Sequence, residues 1–112
     1  LLLSDASDAT AHRRLGVLRA SAVALKALLD DVLDFARIEA GRLAISPVAF
    51  PPRLLFEQAV DLFVAAAAER GNSLVLSAEA LPDLVLADAG RLRQVLLNLI
   101  GNAVKFTESG RI

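Results

Sequence analysis

Residues 88–112 read DAGRLRQVLLNLIGNAVKFTESGRI, and this C-terminal segment sets the architecture of the chain. Its apolar run, Val95–Val104, is interrupted by Asn98 and Asn102, and Lys105 follows directly. At about 3.6 residues per turn, positions 98, 102 and 105 lie on one face of a helix. Amide oxygens bind hard cations such as Mg²⁺, and an ammonium group pairs with phosphate. The spacing favours a site for a metal-bound phosphate and leaves open simple hydrogen bonding to nearby backbone.

A long helical pattern precedes this segment. From about Ala11 to Ala40 no proline interrupts the chain, Gly41 suits a C-cap, and Asp8 or Thr10 suits an N-cap. Such a helix predicts pairing with a companion helix or with a second copy of the chain. Its apolar residues recur at alternating three- and four-residue spacing and form what we call the α1 seam: Leu15, Leu18, Ala22, Leu25, Leu29, Val32 and Ala36.

The middle of the chain predicts strands. Leu43–Phe50 and Ser73–Glu79 alternate apolar and polar residues, and Leu84–Ala87 reads as a further short strand after the turn at Pro82-Asp83.

Two further helices follow from the local signals. Pro51-Pro52 opens a helix over Arg53–Glu69, which Gly71-Asn72 terminates, and Asp88 caps the last helix. The element order predicts an α+β fold in which helices cover one face of a sheet, with a domain boundary at Gly41-Arg42. The apolar face of the middle helix comprises Leu55, Ala59, Leu62, Phe63 and Ala66.

Composition excludes several classes of function. The 112 residues contain no cysteine, which excludes disulfides and thiolate metal sites and fits a cytoplasmic location. No run of about 18 uncharged apolar residues predicts a membrane span. A net charge of −1, with no Trp or Tyr, argues against nucleic-acid binding. Because 55% of the residues are hydrophobic, we expect an apolar face covered by a partner or by further sequence.

Two segments of the chain resemble the two-component sensor histidine kinases and occur in the same order as in that family. Their motifs are most similar to those of the hybrid type. The C-terminal segment is similar to the N box of their ATP-binding domain, and Leu28–Gly41 (LLDDVLDFARIEAG) is similar to the end of their second dimerisation helix. The resemblance covers about Arg14 to Ile112. It implies a dimerisation helix in residues 1–41, followed in residues 42–112 by the N-terminal part of a Bergerat-type (GHKL) ATP-binding α/β sandwich.

The resemblance also implies a function. The family transfers the γ-phosphoryl group of ATP to a histidine and then to an aspartate on a response-regulator receiver domain. It further implies ATP and Mg²⁺ as cofactors, Asn102 as the Mg²⁺ ligand with Asn98 beside it, and Lys105 at the phosphates. Phe106 stands where relatives carry Tyr, Phe or His. The helix over residues 11–40 is expected to form a homodimer.

The departures from the family pattern are equally specific. His12, the only histidine, is not proposed as the phosphoacceptor, because Arg13-Arg14-Leu15-Gly16 follows it and it corresponds to the start of the second helix. None of the six glycines forms a Gly-x-Gly. We therefore expect the acceptor helix, the adenine-binding segment and the lid to be missing from these 112 residues, and the isolated chain to be inactive.

Two other functions stay open at this point. A GHKL-type ATPase keeps the fold but carries a glutamate, which activates water, at the position of Asn98; asparagine cannot serve as that base. A non-catalytic dimerisation or interaction module would need only the α1 seam. Arg91 and Arg93 lie either on a solvated face or at a phosphate. Nothing pairs with Asp30, Asp31 and Asp34 at the spacing of a metal site, so they predict a solvated face rather than a metal site.

Overall fold

The structure is a computed structural model that describes the backbone of residues 2–112 and the side chains of residues 4–112. It divides into two compact units, one ending at Ala44 and one covering Ile45–Ile112. Three helices and a small antiparallel sheet confirm the α+β class. Within the described residues, no helix combines the length and apolar character needed to cross a bilayer. The elements, in chain order, are α1 (Leu2–Glu39), β1 (Val48–Phe50), α2 (Pro52–Glu69), β2 (Val85–Ala87) and α3 (Ala89–Phe106).

Helix α1 is longer than its sequence pattern predicted. The expected start near Ala11, with Asp8 or Thr10 as N-cap, is wrong, because the helix runs from Leu2. Instead of capping, the hydroxyl of Thr10 donates to the carbonyl of Ala6 one turn earlier, at 2.9 Å. That bond is the alternative that a threonine within a helix adopts. The run Ser4–Thr10 contains no glycine or proline to stop the helix.

The end of α1 confirms the predicted C-cap. Gly41 adopts a left-handed conformation with φ of +66°. Its N–H donates to the carbonyl of Ile38 at 3.0 Å, and the N–H of Arg42 donates to that of Arg37 at 2.8 Å. This pair of bonds is a Schellman motif, which satisfies carbonyls that the helix end would otherwise leave free.

The second unit contains the sheet, which is smaller than predicted. Strands β1 and β2 pair antiparallel with Ala49 opposite Leu86. Only Val48–Phe50 of the expected strand Leu43–Phe50 forms, since the N–H of Ser46 donates to a carboxylate and Pro47 has no N–H to donate. Of the expected Leu84–Ala87, the structure shows Val85–Ala87.

The predicted strand Ser73–Glu79 is wrong as regular structure. It makes a single parallel bridge, between Ser73 and Arg111, with the N–H of Val75 donating to the carbonyl of Ile112 at 2.9 Å. The apolar alternation is nevertheless real, because Leu74 and Leu76 are half-buried and Ala78 is buried, while the residues between them are exposed. Few neighbouring backbone partners lie along this segment, so the pattern does not become a ladder.

Helices α2 and α3 pack against each other and carry most of the small core. The buried apolar residues are Pro52, Ala59, Ala67, Ala78 and Val104. In the predicted apolar face of α2, Ala59 is buried but Leu62 is exposed, and Ala67 was missed. The predicted start and end of α2 are confirmed. Pro51 is the N-cap, and the helix ends in a second Schellman motif at Gly71.

The backbone conformation requires a glycine at position 71 but not at position 16. Gly71 has φ of +71°, and an added Cβ would lie 3.2 Å from the hydroxyl of Ser109. Gly16 lies within α1, where an added Cβ would meet nothing within 4 Å. We expect Gly71→Ala to lower the free energy of unfolding of the second unit by about 1–2 kcal/mol, since a left-handed conformation costs a Cβ-bearing residue that much. Urea denaturation measures it.

The matched control is Gly16→Ala. Alanine has higher helix propensity, by about 1 kcal/mol, and the site is open, so helical circular dichroism should be retained or should rise. Equal destabilisation by both substitutions would contradict the argument.

Candidate functional site

The N-terminus of α3 is fixed by Asp88. One carboxylate oxygen accepts from the N–H of Arg91 at 3.1 Å, as an N-cap does, and the other accepts from the N–H of Ser46 at 2.9 Å. The predicted cap is confirmed, and the bond to Ser46 was not predicted. The hydrogen bonds from Ser46 and then Arg91 stabilise the charged carboxylate and hold the pKa of Asp88 below its ordinary value of 3.8.

Helix α3 presents different chemistry on its two sides. Val104 is buried, and Gly101 lies against the ring of Phe63 from α2, which an added Cβ would meet at 3.5 Å. The opposite side is exposed and carries the three side chains that the spacing singled out: Asn98, Asn102 and Lys105. Val95 and Leu99, both exposed, flank them. The structure therefore places the three polar residues together on one solvent-facing side.

The carboxamides of Asn98 and Asn102 are free to bind. Within residues 4–112, neither side chain makes a hydrogen bond to protein. The alternative, in which both asparagines hydrogen-bond to neighbouring backbone, therefore has no support in the described residues. Each carboxamide offers one oxygen acceptor and two N–H donors to a ligand.

Lys105 and Phe106 form the end of the same surface. The ammonium nitrogen of Lys105 lies 5.3 Å from the centroid of the Phe106 ring, within cation–π range. Both side chains are exposed, and Phe106 is 76% exposed. The two side chains therefore leave an ammonium group and an aromatic ring accessible to a ligand at this end of α3.

The two arginines of α3 differ. The guanidinium of Arg91 donates to the carboxamide oxygen of Gln94 at 3.0 Å, in a partly buried contact, whereas Arg93 is exposed.

Two of the three aspartates of α1 form ion pairs within the helix. Asp30 accepts from Lys26 at 2.8 Å and Asp34 accepts from Arg37 at 3.4 Å.

The C-terminal end of α3 is held by residues that the sequence analysis did not select. The C-cap is Thr107, and its carbonyl accepts from the carboxamide of Asn72 at 2.6 Å and from Arg70 at 3.3 Å. Arg70 also pairs with the carboxylate of Glu108 at 3.1 Å. The only sequence signal was the use of Gly71-Asn72 as a helix stop, which indicates a turn but not its distant partners.

Comparison with known proteins shows which family the chain resembles. The chain is 38% identical over its whole length to the signal transduction histidine-protein kinase BarA of Escherichia coli K12, and 37% identical to histidine kinase 3 of Arabidopsis thaliana. A probable histidine kinase 4 of Oryza sativa is 42% identical over 80% of the chain. No model of a protein family matches the chain. The chain spans about a tenth of the length of these curated relatives, namely 12%, 11% and 9%.

Solved structures show the same fold. The structure of full-length ShkA in complex with AMPPNP superposes with a TM-score of 0.68 at 43% identity, over 78% of this chain and 19% of that one. The Acinetobacter baumannii histidine kinase AdeS superposes with a TM-score of 0.65 over 78% of this chain and 43% of that one; at 24% identity it supports the fold alone.

The sequence relatives and the fold together identify the kind of protein to which this segment belongs. The chain corresponds to a region of the sensor histidine kinases of two-component signalling, and the resemblance recognised in the sequence is confirmed.

The lowered pKa of Asp88 predicts a pH dependence. A carboxylate whose folded pKa is lowered contributes stability above its unfolded pKa and loses it as the pH falls through the folded pKa. Asp88→Asn keeps a cap acceptor but cannot accept from both Ser46 and Arg91 through two oxygens. We expect the wild type to be more stable than this variant at pH 7, with the difference shrinking once the pH falls below 3.8.

Urea denaturation midpoints of both proteins between pH 7 and about pH 2 measure this difference. Asp83→Asn is the control, because the Asp83 side chain makes no hydrogen bond within the described residues. A gap between the wild type and Asp88→Asn that stays constant across this range would show that the Asp88 charge does not stabilise α3.

Proposed function

We propose that the chain supplies a sensor histidine kinase of the hybrid type with its second dimerisation helix and the first part of its Bergerat-type ATP-binding domain. In this proposal the dimerisation module is residues 1–41 and the ATP-binding part is residues 42–112. The observation that carries it is the exposed row of Asn98, Asn102 and Lys105 on α3, with its carboxamides free of protein hydrogen bonds. ShkA, 43% identical over the region it matches, was solved with the ATP analogue AMPPNP.

The residues fit a magnesium nucleotide. Mg²⁺ prefers oxygen ligands and keeps several of its waters, so one or two protein oxygens beside substrate phosphates suffice. Asn102 would hold the ion through its carboxamide oxygen, and Asn98 lies one turn away on the same face. Bound Mg-ATP supplies the γ-phosphoryl group for transfer to a histidine, which in two-component signalling passes it to a receiver aspartate.

Lys105 and Phe106 complete the proposed phosphate end of the site. The Lys105 ammonium is exposed and compensated within the described residues only by its contact with the Phe106 ring, so it is available to neutralise phosphate charge. Phosphoryl transfer depends mainly on positioning and charge neutralisation, which is what these side chains contribute. With no carboxylate at position 98, nothing on this face replaces the water-activating glutamate of a GHKL-type ATPase.

The site is tested in a chimera in which this segment replaces the matching segment of ShkA. Asn102→Ala should weaken Mg²⁺-dependent AMPPNP binding by about tenfold or more, because a charged ligand loses one oxygen partner. Isothermal titration calorimetry with and without Mg²⁺ measures it. Gln58→Ala, an exposed amide on α2, is the control. Unchanged Mg²⁺-dependent affinity in Asn102→Ala would refute the metal assignment.

Helix α1 supports the proposed homodimer. Every described residue of the α1 seam is exposed within the single chain. Further exposed apolar residues widen the seam on both sides: Leu28, Leu33 and Phe35. A two-helix contact buries a narrow stripe, whereas a broad apolar face requires neighbours on two sides, as in a four-helix bundle. The proposal therefore pairs this helix across a dimer of the intact kinase, in the cytoplasm.

Leu25 lies in the centre of the α1 seam and is 57% exposed in the single chain. Burying one leucine contributes about 1.5–3 kcal/mol, and several together are needed to offset an association cost of about 4–15 kcal/mol. We expect the 112-residue chain to form a dimer or larger oligomer and Leu25→Asp to shift it towards monomer.

Sedimentation equilibrium measures the oligomeric state. The matched control is Ala20→Asp, which introduces the same charge on the opposite side of α1 and should leave assembly unchanged. At tens of micromolar, a dimer with a Kd of about 1 μM would be formed. A folded wild-type monomer at that concentration would contradict the proposal.

A further inference from the structure

The polar residue buried in the described part of the chain is Asn72. Its relative exposure is 6%, in a core whose other buried members are apolar. The carboxamide uses both of its ends: the nitrogen donates to the carbonyl of Thr107 at 2.6 Å, and the oxygen accepts from the N–H of Gly110 at 2.8 Å. A buried amide that is satisfied by two backbone groups some 35 residues away fixes that backbone in place.

The packing around Asn72 leaves little room for movement. An added Cβ at Gly110 would lie 2.9 Å from the methyl group of Thr107 and 3.8 Å from the Asn72 carboxamide oxygen. The N–H of Ser109 donates to the carbonyl of Arg70 at 3.0 Å. The segment Thr107–Gly110 is therefore held against the end of α2 by hydrogen bonds and by close contact. We call this arrangement the Asn72 latch.

The latch acts next to the proposed nucleotide site. Thr107 is the residue at which α3 ends, and Lys105 and Phe106 are the two residues before it. The last turn of a helix has unpaired carbonyls and frays readily unless it is capped. Fraying would move the Lys105 ammonium away from Asn98 and Asn102, because all three share a face only while the turn is helical.

We infer that Asn72 is a positioning residue for the nucleotide site: by holding Thr107 and Gly110 it keeps the last turn of α3 helical and Lys105 on the face of Asn102. The inference rests on the proposed function for what Lys105 binds. The latch itself is a property of the fold. Asn72 touches no ligand in this role, so its effect on binding must pass through Lys105.

The first measurement is amide hydrogen exchange in the 112-residue chain, which needs no nucleotide. Asn72→Leu keeps the heavy-atom count and branching of the side chain and removes both hydrogen bonds. We expect protection at Lys105 and Phe106 to fall by about tenfold relative to Leu96 and Leu97 in the middle of α3.

The control for exchange is Ala59→Gly, which disturbs a buried position of α2 away from the latch and should lower protection evenly along α3. An even loss along α3 in Asn72→Leu would show that Asn72 only stabilises the fold and would overturn the inference. Unchanged protection both at Lys105 and Phe106 and in the middle of α3 would overturn it as well.

The second measurement is a double-mutant cycle in the ShkA chimera, with Mg-AMPPNP affinity as the readout. If Asn72 acts through Lys105, then Lys105→Ala combined with Asn72→Leu should bind no more weakly than Lys105→Ala alone. If the double variant instead lost affinity by the product of the two single fold-changes, the two residues would act independently, and the inference would be overturned.

The cycle also separates this inference from the proposed function. Unchanged affinity in Lys105→Ala would refute the nucleotide role of Lys105, and with it the role given to Asn72. Weakened affinity in Lys105→Ala with unchanged affinity in Asn72→Leu would refute the latch alone.

Discussion

Helix α3 depends on side chains from outside the helix to satisfy its two ends. A helix leaves roughly four N–H groups and four carbonyls without internal partners. At one end the Asp88 carboxylate accepts from Arg91 and, with its second oxygen, from Ser46. At the other end Asn72 donates to the carbonyl of Thr107. The first contact ties the helix to the chain ahead of β1, and the second ties it to the end of α2. The direction in which α3 presents its outer side follows from these two anchors.

The two sides of α3 separate stability from recognition. The inner side packs with small residues, as at Gly101 against Phe63, and contributes to folding. The outer side places the carboxamides of Asn98 and Asn102 in solvent, where an unpaired polar group has no desolvation cost because water is its partner. Substitutions on the outer side should therefore change binding with little effect on the fold. The same division explains why the apolar run of the sequence tolerates two asparagines in the middle of a helix.

Features encoded within a few residues could be predicted from the sequence, and features that depend on distant partners could not. The Asp88 cap and the glycine stops at Gly41 and Gly71 are local backbone chemistry, and all are present. The strand expected over Ser73–Glu79 has the right apolar alternation, but a ladder requires a neighbour, and only the chain end near Arg111 supplies one bridge. The row of asparagines was found because helical periodicity is local. Asn72 was missed because its partners lie 35 and 38 residues away.

The distribution of apolar residues explains why this chain is a poor candidate for an isolated globular domain. Its buried apolar core consists of three alanines, one valine and one proline among the described residues. By contrast, Leu18, Val32 and Phe35 of α1 are each more than 60% exposed. Large side chains contribute most of the free energy of burial, so a core of small ones leaves most of the available stabilisation unused. The mean hydropathy of +0.54 reflects surfaces that this chain does not cover by itself. A second copy at α1 would bury part of them, as expected of a segment whose relatives are about eight times longer.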